Sequence, residues 1–246
     1  MKKRLLYLAL AVGLVACNPT FFSPAGVEHH NYPVSGGLED TARNDFLSVY
    51  RDSMNMIMNR ELGTIAQPFV KPMPASSLGY FITDAFLWGA RNSFNQPVDL
   101  AFVNNGGIRL NEWPKGSVSL SRVYETLPFD NIMVLVKARG DLLQQFMDHI
   151  SQRGGWPISG GTYTVQNGKA TDIRIGNMPL DTDKTYTIAL SDYVVNGGDD
   201  ALMFSGLPIM NNGYLQRDAL IDYIVNLSKE TKTIPEPALN RVKVSQ

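Results

Sequence analysis

The order of helix-like and strand-like segments constrains the fold of this chain more than any other feature. Residues 39–60 and 140–153 carry apolar residues at helical spacing, whereas 98–103 and 132–137 are short apolar runs typical of buried strands. Because helices and strands do not alternate strictly, a doubly wound parallel sheet is disfavoured. We predict an α+β fold, a single mixed domain with layers of helix and sheet.

Capping and turn signals predict the remaining elements. Ser76 and Ser77 are candidate N-caps for a helix over 76–91, and Asn167-Gly168 favours a tight hairpin. In the helix of 39–60, the methionine-rich apolar stripe is expected to pack in the core. Further predictions are a weak strand over 62–70, a short helix over 117–127, strands over 163–165, 172–175 and 185–190, a helix over 215–228 and a polar tail.

The N-terminus has the pattern of a lipoprotein signal peptide. Residues 2–4 are basic, residues 5–15 form an apolar run, and Leu14-Val15-Ala16-Cys17 resembles the lipobox in which the cysteine is lipidated. Asn18 stands where an Asp would be the usual signal for retention in the inner membrane. We predict a signal peptide over 1–16, a lipidated N-terminus and tether over 17–38, and one domain over 39–246. The expected location is the cell envelope, lipid-anchored in the outer membrane of a Gram-negative bacterium.

Composition disfavours some classes of protein. The chain has 246 residues, of which 44% are hydrophobic, which is enough for a sizeable core. Its formal charge is -1 and no basic stripe occurs, so nucleic-acid binding through phosphate neutralisation is disfavoured. Cys17 is the only cysteine, so the mature chain forms no internal disulfide and depends on its core for stability.

The residues of common hydrolytic centres are missing from the sequence. The three histidines are His29 and His30, in the tether, and His149, in a helix without carboxylates at metal-ligand spacing. No G-x-S-x-G motif and no P-loop occur. We therefore expect no metal, cofactor or catalytic residue in this chain, and we expect His149 on the helix surface.

The stretch Asn104-Asn105-Gly106-Gly107-Ile108-Arg109 follows the strand-like run of 98–103. Its two glycines allow positive φ angles and a close approach of a ligand to backbone N–H groups. Arg109 offers a planar guanidinium to an anion or a ring. Taken alone, the hexapeptide is explained more simply as a turn with a surface arginine.

Two further loops carry aromatic and polar side chains. One contains Phe129 and Asn131, and the other contains Tyr193 and, six residues later, Asp199 on a Gly-Gly turn. An exposed aromatic pair can sandwich a planar base, and a carboxylate can accept hydrogen bonds from ribose hydroxyls. Either aromatic residue by itself would more often belong to the core.

The order of these loops resembles a known domain. The motifs VNNGGIR, VYETLPFDN, WPISGG and YTIALSDYVVNGGDDALMF, preceded by SSLGYFITDAF, are similar to the C-terminal, substrate-binding domain of the 5'-nucleotidase and UDP-sugar hydrolase family. The resemblance covers about residues 39–228. It implies the mixed α/β fold of that domain and the binding of a nucleotide.

The resemblance implies substrate contacts for eight residues. Phe129 and Tyr193, the latter in place of the usual Phe, would stack on the two faces of the base. Asp199 would bind ribose hydroxyls and Asn131 the base, while Asn104 and Arg109 would also contact the substrate. The full set is Asn104, Gly106, Gly107, Arg109, Phe129, Asn131, Tyr193 and Asp199.

Two departures from the family pattern bear on function. Where the family usually has a further substrate-contacting arginine, this chain has Lys71, which either replaces it as a point charge or leaves the phosphate contacts weaker. The motifs of the family's metal-binding phosphoesterase domain, where the divalent metals would be expected, are absent from the sequence.

We therefore expect a nucleotide-binding subunit that presents its ligand to a separately encoded metallophosphoesterase for 5'-phosphate hydrolysis, in nucleotide catabolism or scavenging. On this interpretation the chain alone is inactive. Two alternatives stay open. One is a surface lipoprotein that binds nucleosides or nucleotides without an enzyme partner, and the other is a structural lipoprotein with a relict site.

Overall fold

A computed structural model describes residues 41–245 of the chain. The predicted signal peptide, Cys17 and the tether lie outside the described residues, so that their roles stay predictions. The helices are α1 (Thr41–Met58), α2 (Ser77–Phe94), α3 (Leu120–Thr126), α4 (Gly140–Ser151), α5 (Asp192–Val195) and α6 (Gln216–Glu230). Three 3-10 turns are Asn105–Gly107, Gly198–Asp200 and Leu202–Phe204.

The strands are short and numerous. They are β1 (Glu61–Ile65), β2 (Phe69–Val70), β3 (Leu100–Phe102), β4 (Glu112–Trp113), β5 (Gly116–Ser119), β6 (Ile132–Arg139), β7 (Ile158–Ser159), β8 (Gly161–Gln166), β9 (Lys169–Ile175), β10 (Met178–Pro179), β11 (Thr185–Ser191), β12 (Ile209–Leu215) and β13 (Val242–Ser245). The chain divides into two units between Leu47 and Ser48, and the architecture below is that of the second unit.

A five-stranded mixed sheet forms the centre of this unit, in the order β12-β6-β11-β3-β7. β11 and β3 are parallel, with Ile188 opposite Leu100, and the other neighbours are antiparallel. A second sheet has the order β10-β9-β8-β13, and β1 pairs with β5 and β2 with β4 as separate ribbons.

The two faces of the central sheet belong to two different cores. On β6, Met133 and Leu135 pack in the core that contains α2 and α6, whereas Val134 and Val136 pack in the core that contains α4 and the second sheet. Alternate strand residues point to opposite faces, so a strand that is buried on both sides must be apolar throughout. This explains the unbroken apolar run at the start of β6 and confirms the predicted layered α/β domain.

Several local predictions are confirmed. Ser76 caps α2, since its Oγ accepts a hydrogen bond from the backbone N–H of Gly79 at 3.2 Å. Asn167 and Gly168 have φ angles of 50° and 73° and join β8 to β9 in an antiparallel hairpin.

Other predictions need correction. The segment 117–119 belongs to β5, and the helix begins after the cap residue Ser119. The polar tail contains a strand, β13, which pairs in parallel with β8. Four residues of mixed polarity carry too weak a pattern to identify such a strand from sequence.

The prediction of core packing for the stripe of α1 is wrong for most of its residues in the second unit. Val49, Met54 and Ile57 are 66%, 51% and 56% exposed. Met58 packs against the core, because the chain enters β1 shortly after it. Amphipathic spacing identifies an apolar face, but it does not identify what covers that face. Within 41–245, no helix has the length and apolar character needed to cross a membrane.

Candidate functional site

The sheet topology brings three loops to one edge of the central sheet. Since β3 and β11 are parallel, the loops that follow them, 103–109 and 192–200, leave from the same edge. β6 runs antiparallel to β11, so the loop that precedes it, 127–131, reaches that edge as well. Segments far apart in sequence are therefore neighbours in the fold.

These loops surround a cavity of about 290 Å³. Its walls contain all eight residues that the sequence predicts for substrate contact, which are Asn104, Gly106, Gly107, Arg109, Phe129, Asn131, Tyr193 and Asp199. The structure brings every member of the predicted set together. Their binding of a ligand stays a prediction.

The hexapeptide of residues 104–109 forms one wall. Its 3-10 turn is closed by a hydrogen bond of 2.9 Å from the Gly107 N–H to the Asn104 carbonyl. Neither Gly106 nor Gly107 adopts the positive φ angle that a glycine allows. At Gly107 an added Cβ would instead lie 2.6 Å from Asn104 Oδ1, so that a larger residue would displace the Asn104 side chain.

The two aromatic residues of the site are half exposed, Phe129 to 49% and Tyr193 to 46%. The guanidinium of Arg109 lies 5.8 Å from the centroid of the Phe129 ring, within the range of a cation–π interaction. Arg109 also donates a hydrogen bond of 3.3 Å to the Gly106 carbonyl. The wall therefore presents aromatic surface next to a positive charge.

Arg217, which no sequence motif marks, holds the loop of Phe129. It is 7% exposed and donates hydrogen bonds to the carbonyls of Leu127 and Pro128 at 3.3 and 3.4 Å. Its guanidinium also pairs with Asp130 and lies 4.2 Å from the centroid of the Tyr124 ring. Arg217 lies in the first turn of α6, nearly ninety residues after the loop, so no local sequence signal links the two.

Asp192 joins two of the loops. Its Oδ1 accepts hydrogen bonds from the backbone N–H of Ile132 at 3.0 Å and of Tyr193 at 2.9 Å. One carboxylate therefore fixes the chain next to Asn131 and next to Tyr193. Asp192 belongs to the SDY motif, but its role was not predicted.

Asp199 has a φ of 52°, a left-handed conformation that costs a non-glycine residue about 1–3 kcal/mol and persists where the surroundings hold it. Asn104 Nδ2 donates to Asp199 Oδ2 at 2.8 Å, and Tyr193 Oη lies 3.4 Å from Asp199 Oδ1. The expectation for His149 is wrong, because it is half-buried and its Nε2 lies 2.8 Å from the Asp199 carbonyl oxygen.

Lys71 lies beside the hexapeptide. Its Nζ donates a hydrogen bond of 2.7 Å to the Ile108 carbonyl. Burial and, to a smaller extent, the charge of Arg109 lower the pKa of Lys71. Lys71 lines a neighbouring cavity of about 390 Å³ together with Asn105 and Arg153. Because Lys71 lines this neighbouring cavity and not the main one, it is a less direct replacement for an arginine that contacts the substrate.

The carboxylate and imidazole side chains of the described residues are not clustered. Among residues 41–245, no group of three or more His, Cys, Asp or Glu side chains is arranged to hold a metal ion. The site residues therefore do not fit a divalent-metal site, and the chemistry that they offer is stacking, hydrogen bonding and charge.

Comparison with known proteins identifies the domain. The family model of the 5'-nucleotidase C-terminal domain matches residues 62–206, more than half of the chain and a range that contains all eight site residues. A 5'-nucleotidase of Vibrio vulnificus is 26% identical over 200 residues, which cover 76% of this chain and 34% of the relative. The protein UshA of Escherichia coli is 27% identical over 145 residues, which cover 56% of this chain and 26% of the relative.

A solved structure shares the fold. The 5'-nucleotidase precursor of Thermus thermophilus superposes with a TM-score of 0.71 at 24% identity, over 83% of this chain and 43% of that one. This chain therefore spans between a quarter and a half of the proteins to which it is similar.

The packing of the hexapeptide yields a prediction about its two glycines. Gly107→Ala is expected to lower the free energy of unfolding by about 1–3 kcal/mol, because the new Cβ would clash with Asn104 Oδ1. Gly106→Ala is the matched control, since a Cβ there comes no closer than 3.7 Å to any side chain, and its effect should stay within about 0.5 kcal/mol. Urea unfolding measures both. Equal effects of the two variants would contradict the packing argument.

Proposed function

We propose that this chain, which belongs to the family of the 5'-nucleotidase C-terminal domain, binds the base and ribose of a nucleotide whose 5'-phosphate is hydrolysed by a separate metallophosphoesterase. One observation carries the proposal. Two half-exposed aromatic residues, an arginine and a carboxylate, which come from three separate loops, line one cavity of about 290 Å³. That volume is close to the lower end of the range for small-molecule sites.

The base is assigned to Phe129 and Tyr193. Every nucleobase has two π faces, and a pair of exposed rings in one cavity suits such a ligand better than an extended aliphatic one. Asn131 offers both a donor and acceptors to the edge of a base. The half exposure of both rings supports this assignment, since large aromatic side chains otherwise gain free energy from burial.

The ribose is assigned to Asp199 and the phosphate side to Arg109. A carboxylate has acceptor sites for two neighbouring hydroxyl groups, even when other donors already contact it. Arg109 presents a guanidinium at the same cavity and suits an anionic group. The contribution of the chain is therefore binding and orientation of the ligand.

Hydrolysis is assigned to another protein. The matched segments make up only 34% and 27% of two curated relatives that are named 5'-nucleotidase, so most of each relative lies outside the shared domain. The alternative, a nucleotide-binding lipoprotein without an enzyme partner, is decided by the mixing experiment below.

Stacking yields the first test. Phe129→Ala and Tyr193→Ala should each weaken the binding of AMP and adenosine about 5- to 150-fold, because stacking on one base contributes about 1–3 kcal/mol. Isothermal titration calorimetry of the purified chain with AMP, adenosine and a UDP-sugar measures this effect. Met178→Ala is the control, since Met178 is 69% exposed on β10 and lies outside the cavity. A wild-type chain without affinity for these ligands would overturn the proposed function.

The mixing experiment tests the partner. A metallophosphoesterase from the same cell should release phosphate from AMP faster when the chain is present, and this gain should disappear with Phe129→Ala. Phosphate release is followed by a colorimetric assay, with the chain alone as the background. Binding of AMP without any gain across the candidate phosphoesterases would favour the binding lipoprotein instead.

The proposed location is the cell envelope, through a lipid anchor at Cys17. The lipobox pattern supports it, and these residues lie outside the described part of the structure. Cys17→Ser should abolish the incorporation of radiolabelled palmitate into the chain, because the thiol that would carry the lipid is lost. Metabolic labelling followed by immunoprecipitation measures this loss. Undiminished labelling of the variant would contradict lipidation at Cys17.

A further inference from the structure

Each polar atom of Asp199 is in contact with a neighbouring side chain. Its N–H donates to Tyr193 Oη at 3.3 Å, and its Oδ1 lies 3.4 Å from the same hydroxyl. Its Oδ2 accepts from Asn104 Nδ2 at 2.8 Å, and its carbonyl oxygen lies 2.8 Å from His149 Nε2. Asn104 and Tyr193 line the cavity themselves, whereas His149 reaches Asp199 from α4.

The partners of His149 determine its tautomer. A carbonyl oxygen can only accept a hydrogen bond, so the Nε2 that faces Asp199 carries a proton. Nδ1 lies 3.3 Å from Arg153 Nη1, and a guanidinium can only donate. Nδ1 is therefore the acceptor, and the imidazole is held in one orientation as the Nε2–H tautomer.

Arg153 links His149 to the same turn by a second route. Its Nη2 forms an ion pair of 2.8 Å with Asp200 Oδ2, and Asp200 also has a positive φ, of 59°. Two consecutive residues with positive φ are therefore held from one side, Asp199 through its carbonyl by His149 of α4 and Asp200 through its carboxylate by Arg153, which lies just after α4. Such a backbone conformation persists in non-glycine residues when the surroundings hold it.

We propose that His149 is a positioning residue that sets the selectivity of the site for an intact ribose 2',3'-diol. By holding the carbonyl of Asp199, it fixes the left-handed backbone that directs the Asp199 carboxylate into the cavity. This inference rests on the proposed function and adds to it the residue on which recognition of the ribose diol depends.

On this inference, the effect of a substitution at His149 on binding depends on whether the ligand carries the diol. A ligand that lacks both hydroxyl groups gains nothing from a well-placed Asp199, so it should not respond to changes at His149. A ligand with the diol should respond. This dependence separates a positioning role from a general contribution to folding, which would affect both ligands alike.

The experiment uses two amide substitutions that differ by one methylene. In His149→Gln the amide nitrogen can reach the place of the imidazole Nε2 and still donate to the Asp199 carbonyl, whereas in His149→Asn it falls short. Adenosine and 2',3'-dideoxyadenosine are titrated into the full chain by calorimetry, and thermal unfolding verifies that each variant is folded. Asp199→Ala shows the size of the complete loss of diol recognition.

The wild-type chain should bind adenosine about tenfold or more tightly than dideoxyadenosine. His149→Asn should weaken adenosine binding about five- to tenfold and dideoxyadenosine binding less than about twofold, while His149→Gln should stay within about twofold for both. Equal losses on both ligands, no loss on either, or the same loss for Gln and Asn would overturn the inference. If His149→Asn does not fold, Arg153→Met is measured, and an unaltered selectivity in that variant would also overturn it.

Failure of the proposed function and failure of the inference about His149 give different binding results. A wild-type chain that binds neither nucleoside overturns the proposed function and this inference with it. A wild-type chain that binds both nucleosides with equal affinity overturns only the inference, because Asp199 would then not recognise the diol.

Discussion

The short parallel pairing of β3 with β11, with Leu100 opposite Ile188 and Ala101 opposite Ala189, is the constraint on which the site depends. It sends the loops after both strands to one edge of the sheet, and the antiparallel β6 adds the loop of Phe129. A slip of one residue would exchange the two buried faces of the strand, so packing on both sides fixes this register. The packing of the two cores therefore determines at which edge of the sheet the cavity lies.

The residues around the cavity are held by residues further from it. Arg217 anchors the loop of Phe129, Asp192 joins the loops of Asn131 and Tyr193, and His149 holds the turn of Asp199. A site whose side chains are ordered before a ligand arrives loses less conformational entropy on binding. The exposure of the two rings and the left-handed backbone of Asp199 each cost free energy by themselves. The contacts of Arg217, Asp192 and His149 hold these residues in place.

Local sequence signals predicted those parts of the fold that depend on neighbouring residues. The Ser76 cap and the Asn167-Gly168 hairpin are examples, because a cap or a turn is decided within a few residues. The burial of the α1 stripe was predicted wrongly, since helical spacing does not specify what covers an apolar face. The strand β13 was missed, since a four-residue strand is defined by the strand beside it. Gly107 was singled out for its backbone freedom, whereas its closeness to Asn104 is a matter of packing that the sequence does not show.

The sequence by itself determined the family and the chemical character of the loops, because the motifs with Asn104, Arg109, Phe129 and Asp199 are continuous in the chain. The tertiary structure decided that these loops enclose one cavity and that Lys71 lies beside a different one. It also decided the roles of His149 and Arg217, whose partners lie about fifty and ninety residues away. Contacts at such separations depend on how strands pair and helices pack, and no short stretch of sequence carries that information.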